Sequence, residues 1–368
     1  MAKLLSFFKR EPVFIISLLA AIISCFFVLP DEEYIGYIDF RTLALLYALM
    51  VVVAGLGKAG VFTSMAQSLC LKAKSIRSIG VILVCLCFFS AMLITNDVAL
   101  LTFVPFSVIV LGMANRKQDL IRIVVLQTVA ANLGSMLTPV GNPQNLYLYS
   151  YYDLSFLDFL VMTLPVWILS LVLILISCLF LPKAGLSSFP EKDQTINKKG
   201  LWINLILFLV CLLTVMRILS WPIMLLIVVI VLLIFDRQLL IKADFILLLT
   251  FVAFFIFAGN LARIDVINTL LQSILSGREY WTTLAASQVI SNVPAALLLS
   301  GFTENARALI LGVNIGGLGT PIASLASLIS LKLYTQTENS RLGKYVLEFV
   351  IISVILLTLL SAFQVAIS

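Results

Sequence analysis

Histidine is missing from this chain altogether, which excludes haem ligation through imidazole and proton relays through it. Charge is scarce as well: charged residues make up 11% of 368, against about a quarter in a soluble domain. The six cysteines (Cys25, Cys70, Cys85, Cys87, Cys178 and Cys211) all lie in or beside apolar stretches, and none has metal-ligand spacing. Neither a metal cluster nor a disulfide framework is expected. No nucleophile–base pair and no phosphate-binding loop is visible, so neither an enzyme nor a bound cofactor is expected. The apolar stretches do not alternate every second residue, which excludes an outer-membrane barrel.

Apolar residues are abundant, at 62% of the chain, with a mean hydropathy of +1.14. Continuous runs at 13–29, 157–181, 201–215, 222–235 and 245–258 require a bilayer as solvent. Within it a lone spanning segment must satisfy its own backbone, so these runs are helices. The net charge of +6 does not point to nucleic acid, because the basic residues sit in short loops, where they set orientation. Lys3, Lys9 and Arg10 precede an apolar run with no small-x-small cleavage site before Pro30. It reads as a first membrane helix with its N-terminus in the cytoplasm.

Loop charge then predicts nine spans, at about 12–30, 40–57, 120–154, 157–181, 201–219, 221–235, 244–262, 307–331 and 345–367, leaving the C-terminus outside. Two stretches break this alternation. Residues 79–113 have Arg77 at one end and Arg116 and Lys117 at the other, and Thr95-Asn96-Asp97 interrupts them midway. Each arm holds about 15 residues, short of the roughly 20 needed to cross, so a re-entrant hairpin is predicted. Residues 281–301, broken at Ser291-Asn292-Val293-Pro294, form a second one that opens from the outside. Segments 61–72 (Phe62, Met65, Leu69) and 261–277 (Ile264, Ile267, Leu271, Ile274) read as interfacial helices with one apolar face.

An internal repeat organises the whole. Residues 132–145 read NLGSMLTPVGNPQN and residues 314–327 read NIGGLGTPIASLAS. Asn, Gly, Thr and Pro coincide at 132/314, 134/316, 138/320 and 139/321, an offset of 314 − 132 = 182. A hairpin precedes each copy, and before each hairpin comes an Ala-Gly pair, Ala54-Gly55 and Ala258-Gly259. The first hairpin opens from inside and the second from outside, so the repeats are inverted, as in secondary transporters. The first half is 1–181, the second 201–368, and the polar stretch 182–200 reads as a cytoplasmic linker.

Polar breaks inside apolar helices cost stability unless something compensates. Hairpin tips and broken helices place helix ends near the bilayer centre. Free N–H groups there favour an anion, while unwound carbonyls and Asn, Ser or Thr oxygens favour a small cation. Asn96, Asn142 and Asn292 sit at symmetry-related breaks and are candidates for such a site. Asp97 is an intramembrane carboxylate, expensive to keep, and is a candidate for proton coupling or for a cation ligand; otherwise it caps the second hairpin arm. Thr102 and Ser107 are expected only to bond a carbonyl one turn back, and Gly316-Gly317 to allow close packing or to serve the site. Arg122, Arg217, Arg263 and Arg307 are expected to snorkel to the interface.

TNDVALLTFVPF (95–106), ANLGSMLTPVGNPQNL (131–146) and SNVPAALLL (291–299) resemble the signatures of the ion-transporter superfamily, in its arsenite-permease and anion-permease branch. The sodium-coupled di- and tricarboxylate transporters are more distant relatives. The resemblance covers essentially the whole chain. It implies a homodimeric elevator, in which a scaffold holds the dimer and a transport domain carrying both hairpins and both broken helices slides across the membrane. In the carboxylate branch each tip carries Ser-Asn-Thr for carboxylate and sodium. The corresponding positions are Thr95-Asn96-Asp97 and Ser291-Asn292-Val293. The family's unwound loops map onto 141–145, including Gly141, and onto 323–327, including Ala323 and Ser324. The cation-site hydroxyl one turn before the tip is kept as Ser287 but is Ala91 in the first half. The resemblance thus implies a substrate set of Asn96, Asp97, Asn142, Ser291, Asn292 and Ser324. The implied cation set is Thr95, Asn96, Asp97, Gly141, Ser287, Asn292 and Ala323.

These readings converge on a transporter of a small carboxylate or oxyanion, coupled to Na⁺ or H⁺, in a bacterial inner membrane. A fixed charge at Asp97 repels an anion unless neutralised. Arsenite or antimonite efflux, or sodium/proton antiport, therefore stand as alternatives.

Overall fold

The structure is a computed structural model. It describes residues 11–71, 73–114, 116–185, 196–338 and 340–367. Lys3, Lys9, Arg10, Lys72, Lys192 and residues 186–195 of the expected linker lie outside the described residues. Among the described residues every regular element is helical. The first half comprises α1 (Pro12–Ser24), α2 (Glu33–Tyr37), α3 (Phe40–Lys58), α4 (Val61–Cys70), α5 (Ile76–Ile94), α6 (Asn96–Met113), α7 (Leu120–Gly134), α8 (Pro143–Tyr151) and α9 (Phe156–Cys178). The second comprises α10 (Lys198–Val215), α11 (Trp221–Phe235), α12 (Phe245–Ala262), α13 (Asp265–Leu275), α14 (Glu279–Ile290), α15 (Asn292–Leu299), α16 (Ala306–Gly316), α17 (Leu325–Thr335) and α18 (Leu342–Ile367).

The order α3 to α9 recurs as α12 to α18. Local chemistry starts the corresponding helices alike: Asp39 accepts from Thr42 N at 2.9 Å to begin α3, and Asp244 accepts from Leu247 N at 2.9 Å to begin α12, each satisfying a free N–H of the first turn. Packing repeats too. α5 lies against α7 as α14 lies against α16, and α3 packs on α10 as α12 packs on α1. The Ala-Gly pairs now have a cause. A Cβ at Gly55 would collide with the Asn204 side chain of α10, and one at Gly259 with the Tyr37 ring. Each glycine lets a side chain approach its helix backbone.

Among the described residues, eight helices are long and apolar enough to cross a membrane by length and composition. They include α5 and α6 separately, at 19 and 18 residues, which corrects the expected arm length. The Ser75 N-cap starts α5 three residues early, so arm length no longer carries the hairpin reading. α1 and α11 are shorter apolar helices. Apolar side chains face outward, as on α9, where Leu157, Val161, Leu164, Ile168, Val172 and Leu175 form one exposed stripe. Lipid is the solvent for such a face.

Of the two amphipathic helices, α4 is rotated from expectation. α4 buries Phe62, Ala66 and Cys70 and exposes Met65 and Leu69, because the small Ala66 and Cys70 allow close approach. At α13 the expected face holds, with Ile264, Ile267 and Leu271 half-buried, and only the last turn differs, burying Leu275 and exposing Ile274. Three arginines are paired and do not merely snorkel: Arg122 with Glu348 at 2.5 Å, Arg217 with Asp153 at 2.5 Å, and Arg263 with Asp31 at 2.7 Å. Arg307 Nε is buried with no partner among the described residues. Every ion pair among the described residues, including Lys58–Asp236 and Lys117–Glu338, joins groups that loop charge places on the same side.

Candidate functional site

Each hairpin tip is a single residue. Thr95 (φ 73°, ψ 151°) ends α5 and precedes α6; Ser291 (φ 73°, ψ 155°) ends α14 and precedes α15. This backbone region is nearly confined to glycine and costs about 1–3 kcal/mol at other residues. The same strain at both tips lets α6 and α15 start abruptly, with their first N–H groups uncapped by the tip side chains.

The broken helices interlock at a register of 182. In the first, Asn132 Oδ1 accepts from Asn96 Nδ2 at 3.2 Å and from Ser324 Oγ at 3.1 Å, and Asn132 Nδ2 donates to Ser327 Oγ at 2.9 Å. In the second, Asn314 Oδ1 accepts from Asn142 Nδ2 at 3.0 Å, and Asn314 Nδ2 donates to Asn145 Oδ1 at 2.6 Å. Positions 142 and 145 shifted by 182 are 324 and 327. Each repeat's asparagine therefore grips the unwound loop of the other. Ser135 Oγ joins the two sets, donating to Asn132 O at 2.8 Å and accepting from Asn142 Nδ2 at 3.0 Å. Ser291 Oγ reaches Ala323 O at 3.4 Å. The N-termini of α6, α8, α15 and α17 thus meet in one buried polar network, where the C-terminal ends of α5, α7, α14 and α16 also arrive, so N–H groups suited to an anion lie beside carbonyls suited to a cation.

The predicted residues divide by what they do here. Asn96 and Ser324 spend side-chain atoms on Asn132. Asn142 spends both amide hydrogens on Ser135 and Asn314, and its Oδ1 caps Asn145 N at 2.9 Å. Ser287 is buried and donates back to Thr283 O at 2.9 Å. Gly141 has no room for a side chain, since a Cβ would strike Ser135 O. Asn292 is buried and its amide lies 2.9 Å from where a Cβ of Gly317 would stand. Thr95 and Asp97 are different: together with Asn142 they line a cavity of about 360 Å³ between α3, α6, α8 and α12, which also includes Lys242 and Asp244. The Asp97 carboxylate makes no hydrogen bond or ion pair with any described residue; its own N–H is taken by Asn96 Oδ1 at 3.0 Å. The capping role therefore falls to Asn96.

The sequence profile of the citrate transporter family matches residues 4–308. This chain belongs to the citrate transporter family. The match places it in the ion-transporter superfamily, as the motifs at 95–106 and 131–146 imply, and makes it a multi-pass membrane transporter. Similar proteins agree. One is an uncharacterized transporter of Methanocaldococcus jannaschii, 35% identical over 91% of this chain and 92% of the relative. Another is the inner membrane protein YbiR of Escherichia coli, 29% identical over 84% of each. A silicon efflux transporter of rice is 31% identical over 40% of this chain and 30% of its own length.

In this citrate transporter family member, Thr102 bonds back to Val98 O at 2.8 Å as expected of an intrahelical hydroxyl, whereas Ser107 Oγ lies 2.9 Å from Phe103 O and also 2.8 Å from Gln127 Oε1 of α7, a tertiary contact beyond the expected one. Gly316 packs within 3.0 Å of Ser287 at its missing Cβ. Sequence reasoning overlooked Asn132, Asn145, Asn314 and Ser327 as site residues. The signal was available, because 132 and 314 are identical residues in the repeat register. It also overlooked Gln288, whose Nε2 donates to Gly316 O at 2.6 Å and Leu318 O at 2.8 Å; nothing in its local sequence marks it.

Proposed function

We propose that the protein is a secondary active transporter that moves a small anion, a carboxylate or an oxyanion, across a bacterial inner membrane in exchange for the free energy of an Na⁺ or H⁺ gradient. The observation that carries this reading is four helix N-termini meeting at one polar centre beside a cavity that holds the unpaired Asp97. The N-termini attract an anion. Asp97 repels it until a cation or proton neutralises the carboxylate, so substrate binding and ion loading are linked. Lys242 and Asp244 belong to the loop side assigned to the cytoplasm, so the cavity corresponds to an inward-facing state.

The proposed topology has nine spans, α5–α6 and α14–α15 as hairpins entering from opposite faces, a cytoplasmic N-terminus and an external C-terminus. The bond from Asn96 to Asn132 supports it: the first tip lies beside a helix break rather than in a surface loop. So does the same-side grouping of the ion pairs. By resemblance the protein is a homodimeric elevator whose substrate and cation sets are those named from the tips and loops, with Asp97 in place of the first-half hydroxyl lost at Ala91.

A second reading is efflux of a neutral hydroxide such as arsenite. The unpaired Asp97, which tolerates an uncharged substrate, favours it, as does the similarity to a silicon efflux transporter. Uptake into proteoliposomes decides, with a panel of small carboxylates, oxyanions and arsenite, and with Na⁺ and pH gradients imposed separately. The expected result is gradient-dependent movement of an anion. Movement of arsenite alone supports the second reading, and Na⁺/H⁺ exchange with no other solute moved overturns both.

A further inference from the structure

An apolar groove of about 580 Å³ runs between the outer faces of α9 and α18, walled by Leu173, Phe180, Ile351 and Ile355. Its walls are open to the surroundings: Phe180 is 73% exposed and Ile355 54%. One end of the groove is charged, with Arg122, Lys344 and Glu348. There it adjoins a more polar cavity of about 370 Å³ lined by Lys117, Glu338, Arg341 and again Lys344. Around this end stand four cations and two carboxylates. Glu338 holds Lys117 at 3.0 Å and Glu348 holds Arg122 at 2.5 Å. Arg341 and Lys344 have no carboxylate partner among the described residues.

Between lipid-facing helices an acyl chain fills such a groove, and two cations without a carboxylate partner at its end attract an anion. A phosphate headgroup carrying an acyl chain answers both. We infer that the groove and the cavity beside it form one binding site for an anionic phospholipid, with the headgroup at Arg341 and Lys344 and a chain lying between α9 and α18. The site lies on the side that loop charge assigns to the cytoplasm, where the leaflet is rich in anionic lipid and basic pockets between helices collect such headgroups. A second copy of the chain, the other candidate occupant, would cover the apolar walls but would leave the unpaired Arg341 and Lys344 unexplained. The inference is independent of which solute is transported.

Native mass spectrometry of the full-length protein tests this, with dioleoyl phosphatidylglycerol, dioleoyl phosphatidylcholine and chain-free glycerophosphate. The expected result is retention of the anionic lipid about 30-fold above the zwitterionic one, the scale of two basic contacts, with no retention of glycerophosphate. Arg341→Gln combined with Lys344→Gln should reduce retention to the zwitterionic level, Lys344→Arg should preserve it, and Ile355→Trp, which fills the groove, should abolish it. Equal retention of the two lipids by the wild-type protein overturns the inference even if a variant fails to fold. Disulfide capture between protomers through Ile355→Cys also overturns it and assigns the groove to a second copy.

Discussion

Thr95 and Ser291 turn the chain with the same backbone, yet the residues after them diverge. Asn96 and Asn292 match; Asp97 and Val293 do not, and the residue one turn before the tip is Ala91 in one half and Ser287 in the other. The broken helices also differ. Thr128 of α7, Ser330 of α17 and Tyr345 of α18 form a buried hydroxyl cluster, with 2.5 Å between the first two and 3.1 Å between the last two. The repeat equivalents of Thr128 and Ser330, at 128 + 182 and 330 − 182, are Ile310 and Leu148, both buried and apolar. The halves share what shapes the centre, namely the strained tips, the unwound loops and the reciprocal asparagines. They differ in what carries charge and polarity. On the proposed function, a centre approached from both faces of the membrane needs the first set duplicated, whereas a single coupling group needs no duplicate.

Substitutions can break this comparison, beginning with the largest effect. Asp97→Asn should lower gradient-driven uptake by about 100-fold, the scale of losing a proton-transfer group, and Val293→Asp in that background should not restore it. Uptake assays in proteoliposomes check both. Gly134→Ala, whose Cβ would strike Phe88 O, should cost about 3 kcal/mol, the upper range for overpacking. Gly316→Ala meets side-chain and backbone atoms only at 3.0–3.1 Å and should cost less, as read by thermal unfolding in detergent. Asn132→Ala and Asn314→Ala each leave buried partners unpaired, at about 1–3 kcal/mol. Equal losses sharpen the symmetric reading, and a large inequality breaks it.

The smallest effect belongs to the exposed Lys117–Glu338 pair, which joins the two halves. Lys117 holds the Glu338 carboxyl below its usual range. Its stabilisation is therefore present above the unfolded carboxyl pKa and lost as pH falls through the folded one. Glu338→Gln should abolish that acid dependence, and unfolding curves measured from neutral to acidic pH would show it.

The large features were legible because they are periodic or repeated. Apolar runs marked the helices, and the 182-residue register marked both breaks. Asp97 was conspicuous because carboxylates are rare in apolar helices. What could not be read depends on rotation and reach. Whether Met65 or Ala66 faces inward is a choice between neighbouring positions that only packing makes. The saturation of Asn142 by Asn314, 172 residues away, has no local trace. Arm length misled because capping by Ser75 starts α5 three residues before the expected position 79, carrying the helix past the charge of Arg77.

The most direct test of the central claim, two halves entering the membrane from opposite faces to build one site, uses Gly112 and Gly301. Each lies at the base of one hairpin, with open space where a Cβ would stand. With the six native cysteines replaced, Gly112→Cys and Gly301→Cys should be labelled by a membrane-impermeant thiol reagent from opposite sides in oriented vesicles, the first from the side bearing Lys58. Labelling of both from the same side would contradict the account.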